Sequence, residues 1–435
     1  MHCFARRMSC RSFSPPSLRK GDVVMADAPK MFTPEFLANP HPCVKKHLRE
    51  TAPVVPVVYP GEMTIYFVTR FDEVRSVLAD TRFSKDRSAL TDGDLRPERF
   101  ERDERLAAFH QNLNMVDPPN HSRLRRVVGR QLPPRKVRAL EDRARAYARE
   151  LLEKFAETGK ADLIGDLVLP FAEKILGDFN GTDVLTAEEN RFMRDKISLL
   201  ISPPYDLRLD DFEVLKHEIM EVIVTLLERR EANPNDCVFS GFIAERDAGE
   251  LSELELFALT ITMLFSGIES VIAFTGTALH SLLRNPEQLE LLKARPELLQ
   301  NAIEELIRYD SGTQIGTFRF TREEIEVGGV AIPAGSTVCP LLAAAHRDPA
   351  KFANPDRLDI TREDNHHLGF GLGIHNCIGA LFGRMLAGIA VEAIVTGLAD
   401  VRLAVEPADL KWKPGLLHRA LFELPVAFAP VGVPA

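Results

Sequence analysis

Residues 369–379 read Gly-Phe-Gly-Leu-Gly-Ile-His-Asn-Cys-Ile-Gly, and this stretch decides how the rest of the chain is interpreted. Its four glycines let the backbone turn sharply and approach another group closely. An apolar helical pattern follows at residues 380–389, so Cys377 is expected at a loop-to-helix junction. Unpaired N–H groups and the helix dipole at such a junction favour a thiolate, which is a ligand for soft metals.

A lone cysteine is also compatible with simple burial, because free cysteine behaves as a small hydrophobe. The phenylalanine, the spaced glycines and the histidine two residues earlier favour a binding loop instead. The pattern Phe-Gly-x-Gly-x-His-x-Cys-x-Gly resembles the haem-binding signature of the cytochrome P450 family. The resemblance implies that Cys377 is the metal ligand, holding the iron of haem b (iron protoporphyrin IX), and that Phe370, His375 and Gly379 also bind this cofactor.

Composition limits the classes of protein that fit. The chain has 435 residues, of which 45% are hydrophobic, so it can bury a large core. Its formal net charge of -9 argues against nucleic acid as a partner. The six cysteines are scattered and form no CxxC pair, which argues against a disulfide scaffold or zinc site and fits a reducing compartment.

The apolar stretches argue against a membrane anchor. The longest, residues 256–268, ends before Glu269 and is shorter than the ~20 residues that a membrane span needs. We find no secretory h-region and expect a cytoplasmic protein. Residues 1–30 are rich in serine and begin with arginines before any acid, so we expect a disordered tail followed by one domain over residues 31–435.

Periodicity predicts a mainly α fold with a minor β region. Short β-like runs occur at residues 54–59 and 63–68, and further strands are predicted within 317–338, 401–405 and 416–428. Residues 135–230 are mostly amphipathic helix with breaks at glycines and prolines.

One long helix dominates the pattern. Ser252 and Glu255 form a capping-box signature, and the helix they open should end at Asn285, because a proline follows there. That is roughly 32 residues, or ~48 Å. Since residues 256–272 are apolar on all sides, we expect this helix in the middle of the molecule. The family resemblance implies the cytochrome P450 fold of the soluble bacterial type, in which this long central helix lies over the haem.

Glu269 and Ser270 stand in this apolar helix, where a carboxylate is unfavourable unless it is paired or used. One interpretation is structural: Glu269 meets a cation elsewhere and Ser270 bonds its own backbone. The family resemblance implies instead that the two are catalytic, an acid-alcohol pair that delivers protons during oxygen activation. Ser270 replaces the usual threonine and Ser266 replaces alanine or glycine, and these departures affect the expected reaction.

Glu305 and Arg308 share a helix face at i, i+3. The resemblance implies the family's Glu-x-x-Arg pair, with Arg357 as the third member of a structural ion network.

Four cations match positions with which the family binds the haem propionates: His121, Arg125, Arg319 and His375. A solvated helix face is the alternative for His121 and Arg125, which lie at i, i+4. For Arg123, Arg126 and Arg130 we expect a basic surface on the thiolate side, where an acidic ferredoxin could dock.

The resemblance also implies a substrate side, lined by residues of the long helix, of the segment after the Glu-x-x-Arg helix and of the last strands: Thr262, Met263, Ser266, Ile315, Thr317 and Leu417. Parts of residues 84–114 and 201–208 should close over it. Methionine and leucine at such positions are equally compatible with plain core packing.

The resemblance therefore implies a haem-thiolate monooxygenase of secondary metabolism, a monomer that inserts one oxygen atom from O2 into a small, largely apolar substrate by hydroxylation or epoxidation. Electrons from NAD(P)H would arrive through ferredoxin reductase and ferredoxin. The serine at position 270 keeps open a second function, oxidative coupling or peroxide-driven oxidation. A non-catalytic haem carrier or sensor is a third, against which the acid-alcohol pair argues.

Overall fold

The computed structural model describes residues 36, 38–59, 63–87, 103–201, 209–415 and 417–430. Within them the α-helices are, in chain order, α1 (His41–Val44), α2 (Phe71–Ala79), α3 (Asn120–Gln131), α4 (Pro134–Arg138), α5 (Glu141–Glu153), α6 (Leu169–Asn180), α7 (Ala187–Ile201), α8 (Leu209–Ala232), α9 (Val238–Asp247), α10 (Glu253–Arg284), α11 (Pro286–Ala294), α12 (Leu299–Asp310), α13 (Leu342–Ala345) and α14 (Ala380–Gly397). Short 3-10 helices span Glu104–Phe109, Thr182–Val184, Pro296–Leu298, Gly373–His375 and Pro407–Asp409, and π-helical turns span Lys45–Arg49 and Leu163–Val168.

The strands of the described residues are β1 (Val54–Tyr59), β2 (Met63–Val68), β3 (Phe83–Ser84), β4 (Lys160–Asp162), β5 (Arg319–Thr321), β6 (Ile325–Val327), β7 (Val330–Ile332), β8 (Thr337–Pro340), β9 (Ala399–Leu403) and β10 (Pro425–Ala429). The order β1-β2-β8-β5-β3 makes the largest sheet, in which β2 and β8 are parallel and the other neighbours antiparallel. Strands β4-β10-β9 form a second sheet, and β6 pairs with β7. The predicted mainly α fold with a minor β region is confirmed.

Helix α10 is the structural centre, as predicted. Its capping box is formed in both directions, with Ser252 Oγ accepting from the Glu255 N–H and the Glu255 carboxylate accepting from the Ser252 N–H. It packs against α6, α12, α14 and the 3-10 helix Glu104–Phe109. Most of its side chains are buried, which explains why its sequence is apolar on every face.

The C-terminal part of the chain combines a strand with isolated bridges. Of the strands predicted within residues 416–428, β10 (Pro425–Ala429) is present, and before it His418 and Leu421 form isolated bridges to Thr313 and Trp412. Two irregular segments, residues 411–415 and 417–422, are joined by the Trp412 to Leu421 bridge and together form the C-terminal arm. The tail predicted for residues 1–30 lies outside the described residues. So do residues 88–102 and 202–208, which belong to the segments expected to close over the substrate side.

Two helices, Glu253–Arg284 and Ala380–Gly397, are long and apolar enough to cross a membrane by length and composition. In the first, 67% of the apolar window is buried inside the protein. That degree of burial is typical of the core helix of a folded domain, and such helices alone are weak evidence for a membrane span.

Candidate functional site

The loop that carries Cys377 is a compact turn whose backbone depends on glycine. The Cys377 N–H donates to the Phe370 carbonyl at 2.7 Å, closing the loop on itself. Gly373 has a φ of +76°, and a Cβ there would lie 2.8 Å from the Leu78 carbonyl oxygen of α2. A side chain at position 373 would therefore be strained by its backbone and blocked by α2. Helix α14 begins directly afterwards, as predicted.

The Cys377 thiol lies where several groups act on its charge. Burial raises the pKa of the thiol, while the Gly379 N–H, Arg125 and Arg384 act in the opposite direction. The residue is nevertheless accessible to solvent. The sulfur therefore has an open side and a set of neighbours that favour its thiolate, which is the form that ligates metals.

The start of this loop is stabilised by contacts that the sequence did not reveal. The Arg384 guanidinium lies 4.2 Å from the centre of the Phe370 ring and pairs with Glu304 at 2.6 Å. Glu304 also lies 2.9 Å from His367 Nε2. Glu304 thus joins α12, α14 and the segment entering the loop.

The four cations expected to bind carboxylates form one cluster. The ring centroids of His121 and His375 lie 4.1 Å apart. Arg125, on the same helix as His121, donates to the Asn376 carbonyl at 2.7 Å. Burial, together with His121, Lys85, Arg319 and Arg125, lowers the pKa of His375 to about 2. The structure therefore brings together the histidine pair and the arginine pair that the sequence singled out.

Lys85 is a fifth cation of this cluster, and sequence reasoning missed it. It is 1% exposed, and its Nζ donates to Thr317 Oγ1 at 2.7 Å and to the Phe318 carbonyl. Burial and Arg319 hold the pKa of Lys85 well below its usual range. Its position in a charged stretch gave no signal that this lysine would be buried.

Glu269 and Ser270 lie midway along α10. Ser270 Oγ donates to the Ser266 carbonyl at 2.6 Å, the backbone bond that the sequence suggested. Glu269 is 3% exposed, and its Oε2 lies 3.6 Å from Lys413 Nζ. Both elements of the structural interpretation, a cation partner and a bonded hydroxyl, are therefore present; they do not conflict with a role in proton transfer.

Comparison with known proteins identifies the family. The family model described as Cytochrome P450 matches residues 207–397. The 6-deoxyerythronolide B hydroxylase of Saccharopolyspora erythraea is 34% identical over 386 residues, covering 87% of this chain and 94% of that protein. Cytochrome P450 monooxygenase PikC of Streptomyces venezuelae is 32% identical over 400 residues, covering 90% and 92%. This chain belongs to the cytochrome P450 family.

The fold gives the same answer. The solved structure of myxobacterial cytochrome P450 CYP267B1 in complex with myristic acid matches with a TM-score of 0.85 at 29% identity, covering 92% of this chain and 99% of that one. The family and its named hydroxylase and monooxygenase relatives make this chain a cytochrome P450 monooxygenase, an oxidoreductase with a haem-iron cofactor.

The residues of this cytochrome P450 fit haem. His121 is 1% exposed, yet neither of its ring nitrogens has a hydrogen-bond partner among the described residues. Nε2 of His375 is likewise unpartnered there. Unpartnered polar atoms within a group of buried cations suit the two carboxylates of haem, because buried polar atoms normally have partners. The accessible Cys377 thiol suits the iron.

The predicted ion network of the P450 needs one correction. Arg308 pairs with Glu305 at 2.8 Å, and both side chains are fully buried. The third member is Arg362, whose Nε lies 3.0 Å from Glu305 Oε2, and not Arg357. Arg357 turns its carbonyl toward Arg308 Nη2, at 3.1 Å, and its side chain is exposed. The irregular loop, with Asn354 at a φ of +47°, sets this orientation.

Residues expected to line the substrate side have mixed surroundings. Ser266 is exposed and Met263 half-buried, so both are accessible from the side that α10 presents. The Thr262 hydroxyl is buried and accepts from the Leu113 N–H at 3.1 Å, so it anchors the neighbouring loop. Ile315 is 3% exposed and packs beside the large sheet, as plain core would, and Leu417 packs against the same cluster.

Two polar contacts were not foreseen on this side. The exposed Thr317 has its hydroxyl held by Lys85. Asn114 donates from Nδ2 to Ser266 Oγ at 3.3 Å, which places an amide beside the central helix.

The expected basic surface is largely neutralised. Arg123 pairs with Glu255, and Arg130 pairs with Glu245 at 2.6 Å. Arg126 is the member of the trio whose described side-chain bond, 3.2 Å to the Ser122 carbonyl, involves no acid. Charge steering by this helix is therefore weaker than the sequence suggests.

Proposed function

We propose that this P450 is a cytoplasmic, monomeric haem-thiolate monooxygenase that hydroxylates or epoxidises a small, largely apolar substrate in secondary metabolism, with electrons from NAD(P)H delivered through ferredoxin reductase and ferredoxin. The observation that carries the proposal is that an exposed cysteine in a glycine-shaped loop occurs together with two histidines, His121 and His375, whose buried ring nitrogens lack hydrogen-bond partners among the described residues. Relatives named as a hydroxylase and a monooxygenase support the reaction type.

Haem, when bound, supplies the activation of O2 for insertion of one oxygen atom into a C–H or C=C bond. Cys377 would be its thiolate ligand, and the Gly379 N–H and Arg125 would stabilise the charge on that sulfur. His121, Arg125, Arg319 and His375 would hold the carboxylates. Lys85 adds a buried nitrogen donor beside Thr317 to this group.

Glu269 and Ser270 would handle protons on the opposite side. The Glu269 Oε1 atom is buried and has no hydrogen-bond partner in the described structure, so it is able to accept or release a proton. The Ser270 hydroxyl donates to backbone carbonyls of α10, at 2.6 Å and 3.1 Å, and must rotate from them to pass a proton on. Serine rotates more freely at χ1 than the usual threonine, which carries an additional methyl group.

The substrate side supports a mainly apolar ligand with one polar contact. Met263 and neighbouring α10 residues are apolar, whereas Ser266 and Asn114 offer a hydroxyl and an amide. The similar proteins differ in their ligands: one is a 6-deoxyerythronolide B hydroxylase, and another was solved in complex with myristic acid. These names support a mid-sized, largely apolar substrate and do not define it further.

A reconstitution experiment tests this function. Small apolar molecules are first screened for a spin-state shift of the ferric haem, and the compound with the largest shift is used as the probe. With NADPH, ferredoxin reductase, ferredoxin and isotopically labelled O2, the product should carry one labelled oxygen atom. Turnover with peroxide alone, and none with the electron-transfer proteins, would contradict the proposal and favour the peroxide-driven alternative that Ser270 suggests.

A further inference from the structure

Glu269 has one charged partner among the described residues, and it comes from the C-terminal arm. Lys413 Nζ lies 3.6 Å from Glu269 Oε2. The other carboxylate oxygen, Oε1, is buried without a hydrogen-bond partner. An isolated buried carboxylate is strongly unfavourable, so Lys413 is the group that makes the charged form of Glu269 tolerable.

The backbone of Lys413 is fixed relative to α10. The Lys413 N–H donates to the Ala420 carbonyl at 2.7 Å, which joins the two segments of the arm. The arm is in turn tied to the segment after α12, where the Arg419 N–H donates to the Gly312 carbonyl at 2.7 Å. Gly312 lies against α10 so closely that a Cβ there would be 2.6 Å from the Phe274 nitrogen. The arm therefore holds Lys413 at a set position along α10.

The side chain of Lys413, in contrast, reaches two environments. It is 24% exposed, whereas the side chain of Glu269 is 4% exposed. Their separation of 3.6 Å is within ion-pair range but longer than a good N–H···O hydrogen bond. Lysine has a flexible four-carbon stem and a strongly hydrated ammonium group, so it can leave this position for solvent without losing its charge.

Of the basic residues of the arm, Lys413 is the one that pairs with Glu269 in the described structure. His418 lies in the same arm, and burial together with Lys413 lowers its pKa to about 4, so it is neutral near pH 7. Arg419 is engaged elsewhere, with Asp310 at 3.0 Å and the Trp412 ring at 3.3 Å. Lys413 is thus the cation of the arm that lies beside the buried Glu269 carboxylate and whose ammonium group also reaches solvent.

We propose that Lys413 is a positioning residue that gates proton entry from solvent to Glu269, which rests on the proposed role of Glu269 in proton delivery. With the ion pair closed, Glu269 is held as a carboxylate. When the ammonium group swings outward, water reaches the carboxylate and Glu269 takes up one proton. Glu269 then releases that proton to the Ser270 hydroxyl, which gives up its own proton to the O2 that the reaction reduces, and the ion pair closes again. One proton enters and one leaves, while Lys413 keeps its charge throughout.

The test compares Lys413→Met with Lys413→Arg and with Lys411→Met, all as holoenzymes. Lys411 lies in the same arm, is 74% exposed and meets Glu423 at 3.9 Å, so it is a lysine of the same arm whose acidic partner is not Glu269. With the probe compound, Lys413→Met should lower product formed per NADPH by about tenfold, which is less than the roughly 10²–10⁴-fold of a lost general acid or base because Lys413 acts through Glu269. Lys413→Arg should restore much of it, and Lys411→Met should behave like the wild type.

Two further measurements separate gating from simple structural support. The solvent isotope effect on turnover should rise in Lys413→Met, because Glu269 without its cation partner holds its proton and proton release becomes rate-limiting. A merely structural role would leave the isotope effect unchanged. Thermal unfolding of Lys413→Met, Glu269→Gln and the double variant should show coupling between the two sites, since the pair is in contact. Additive effects would overturn the ion pair itself.

The remaining outcomes distinguish this inference from the function on which it rests. Loss of coupled turnover in Glu269→Gln, with unchanged coupling and isotope effect in Lys413→Met, would overturn the gate and leave the proposed role of Glu269 intact. Unchanged coupled turnover in both variants would overturn the role of Glu269 in proton delivery, and the gate with it.

Discussion

The ring centroids of His121 and His375 lie 4.1 Å apart, although one residue belongs to α3 and the other to the cysteine loop. Burial, with Arg125 nearby, lowers the pKa of His121, and the pKa of His375 is lower still. Both rings are therefore neutral near pH 7, and each offers one N–H donor. The contact joins helix and loop where the carboxylates of haem are proposed to bind.

His121→Phe keeps a ring of similar size but removes the N–H donor, so we expect haem to be released faster. A hydrogen bond to a charged group contributes about 1.5–3 kcal/mol, which corresponds to roughly tenfold or more in release rate. Transfer of haem to apomyoglobin measures this rate. Arg126→Ala, on the same helix, is the control and should release haem as the wild type does; equal rates in the two variants would contradict a role for His121.

Cys377→Ser should abolish thiolate ligation. The reduced wild-type protein with carbon monoxide is expected to show the strongly red-shifted Soret band of a thiolate-ligated haem, and the variant should lack it. Cys43→Ser removes a half-buried cysteine of α1 and should leave the band unchanged. An unshifted band in the folded wild type would rule out Cys377 as the ligand.

Ser270→Ala should uncouple electron consumption from product formation, because it removes the hydroxyl that is proposed to pass protons on. We expect product per NADPH to fall by about tenfold, while Ser270→Thr retains the hydroxyl and should keep most of the coupling. The ratio of product to NADPH consumed measures the effect. Wild-type coupling in the alanine variant would show that the hydroxyl carries no protons.

Arg362→Ala and Arg357→Ala should differ sharply in stability. Arg362 lies 3.0 Å from the fully buried Glu305, so its loss should reduce the free energy of unfolding by about 1–3 kcal/mol. The exposed Arg357 side chain should contribute no more than about 0.5 kcal/mol. Denaturant unfolding of the two variants measures both values. A larger loss in Arg357→Ala than in Arg362→Ala would show that Arg357, and not Arg362, is the third member of the ion network.

Glu304→Gln should destabilise the protein in a pH-dependent manner. Burial would raise the pKa of Glu304, but hydrogen bonds from Arg384 and His367 outweigh it and lower the value to about 2. A depressed pKa stabilises the fold above the unfolded value of about 4.3, and this stabilisation is lost as pH falls toward 2. The free energy of unfolding of the wild type should therefore exceed that of the variant by about 1–2 kcal/mol at pH 7, allowing for partial exposure of Glu304. This difference should shrink below about pH 4. A difference independent of pH would show that the Glu304 charge is not responsible.

Local sequence signals predicted the fold and the loop-to-helix junction at Cys377 well. The limits of α10 follow from its capping box and from the proline after Asn285, both of which act within a few residues. The loop around Cys377 was also readable, because its glycines and its histidine are set by backbone geometry and adjacent chemistry.

Contacts between distant segments were not predictable in the same way. Arg362 was missed because an irregular loop decides which arginine turns inward, and no periodicity describes that loop. Lys85 and Lys413 were missed because each is an ordinary charged residue locally, and only tertiary packing brings them to Thr317 and Glu269. Burial of a charge is a property of the assembled fold and not of its neighbours in sequence.

The Leu78 carbonyl at the end of α2 meets both Gly373 of the cysteine loop and, at 3.5 Å, the Arg319 guanidinium of β5. The Leu78 peptide group therefore lies against both the cysteine loop and β5, the strand that carries Arg319. In a chimaera with a relative, α2 should therefore be exchanged together with the cysteine loop and β5. If α2 alone were exchanged, the positions of both the cysteine loop and β5 would change.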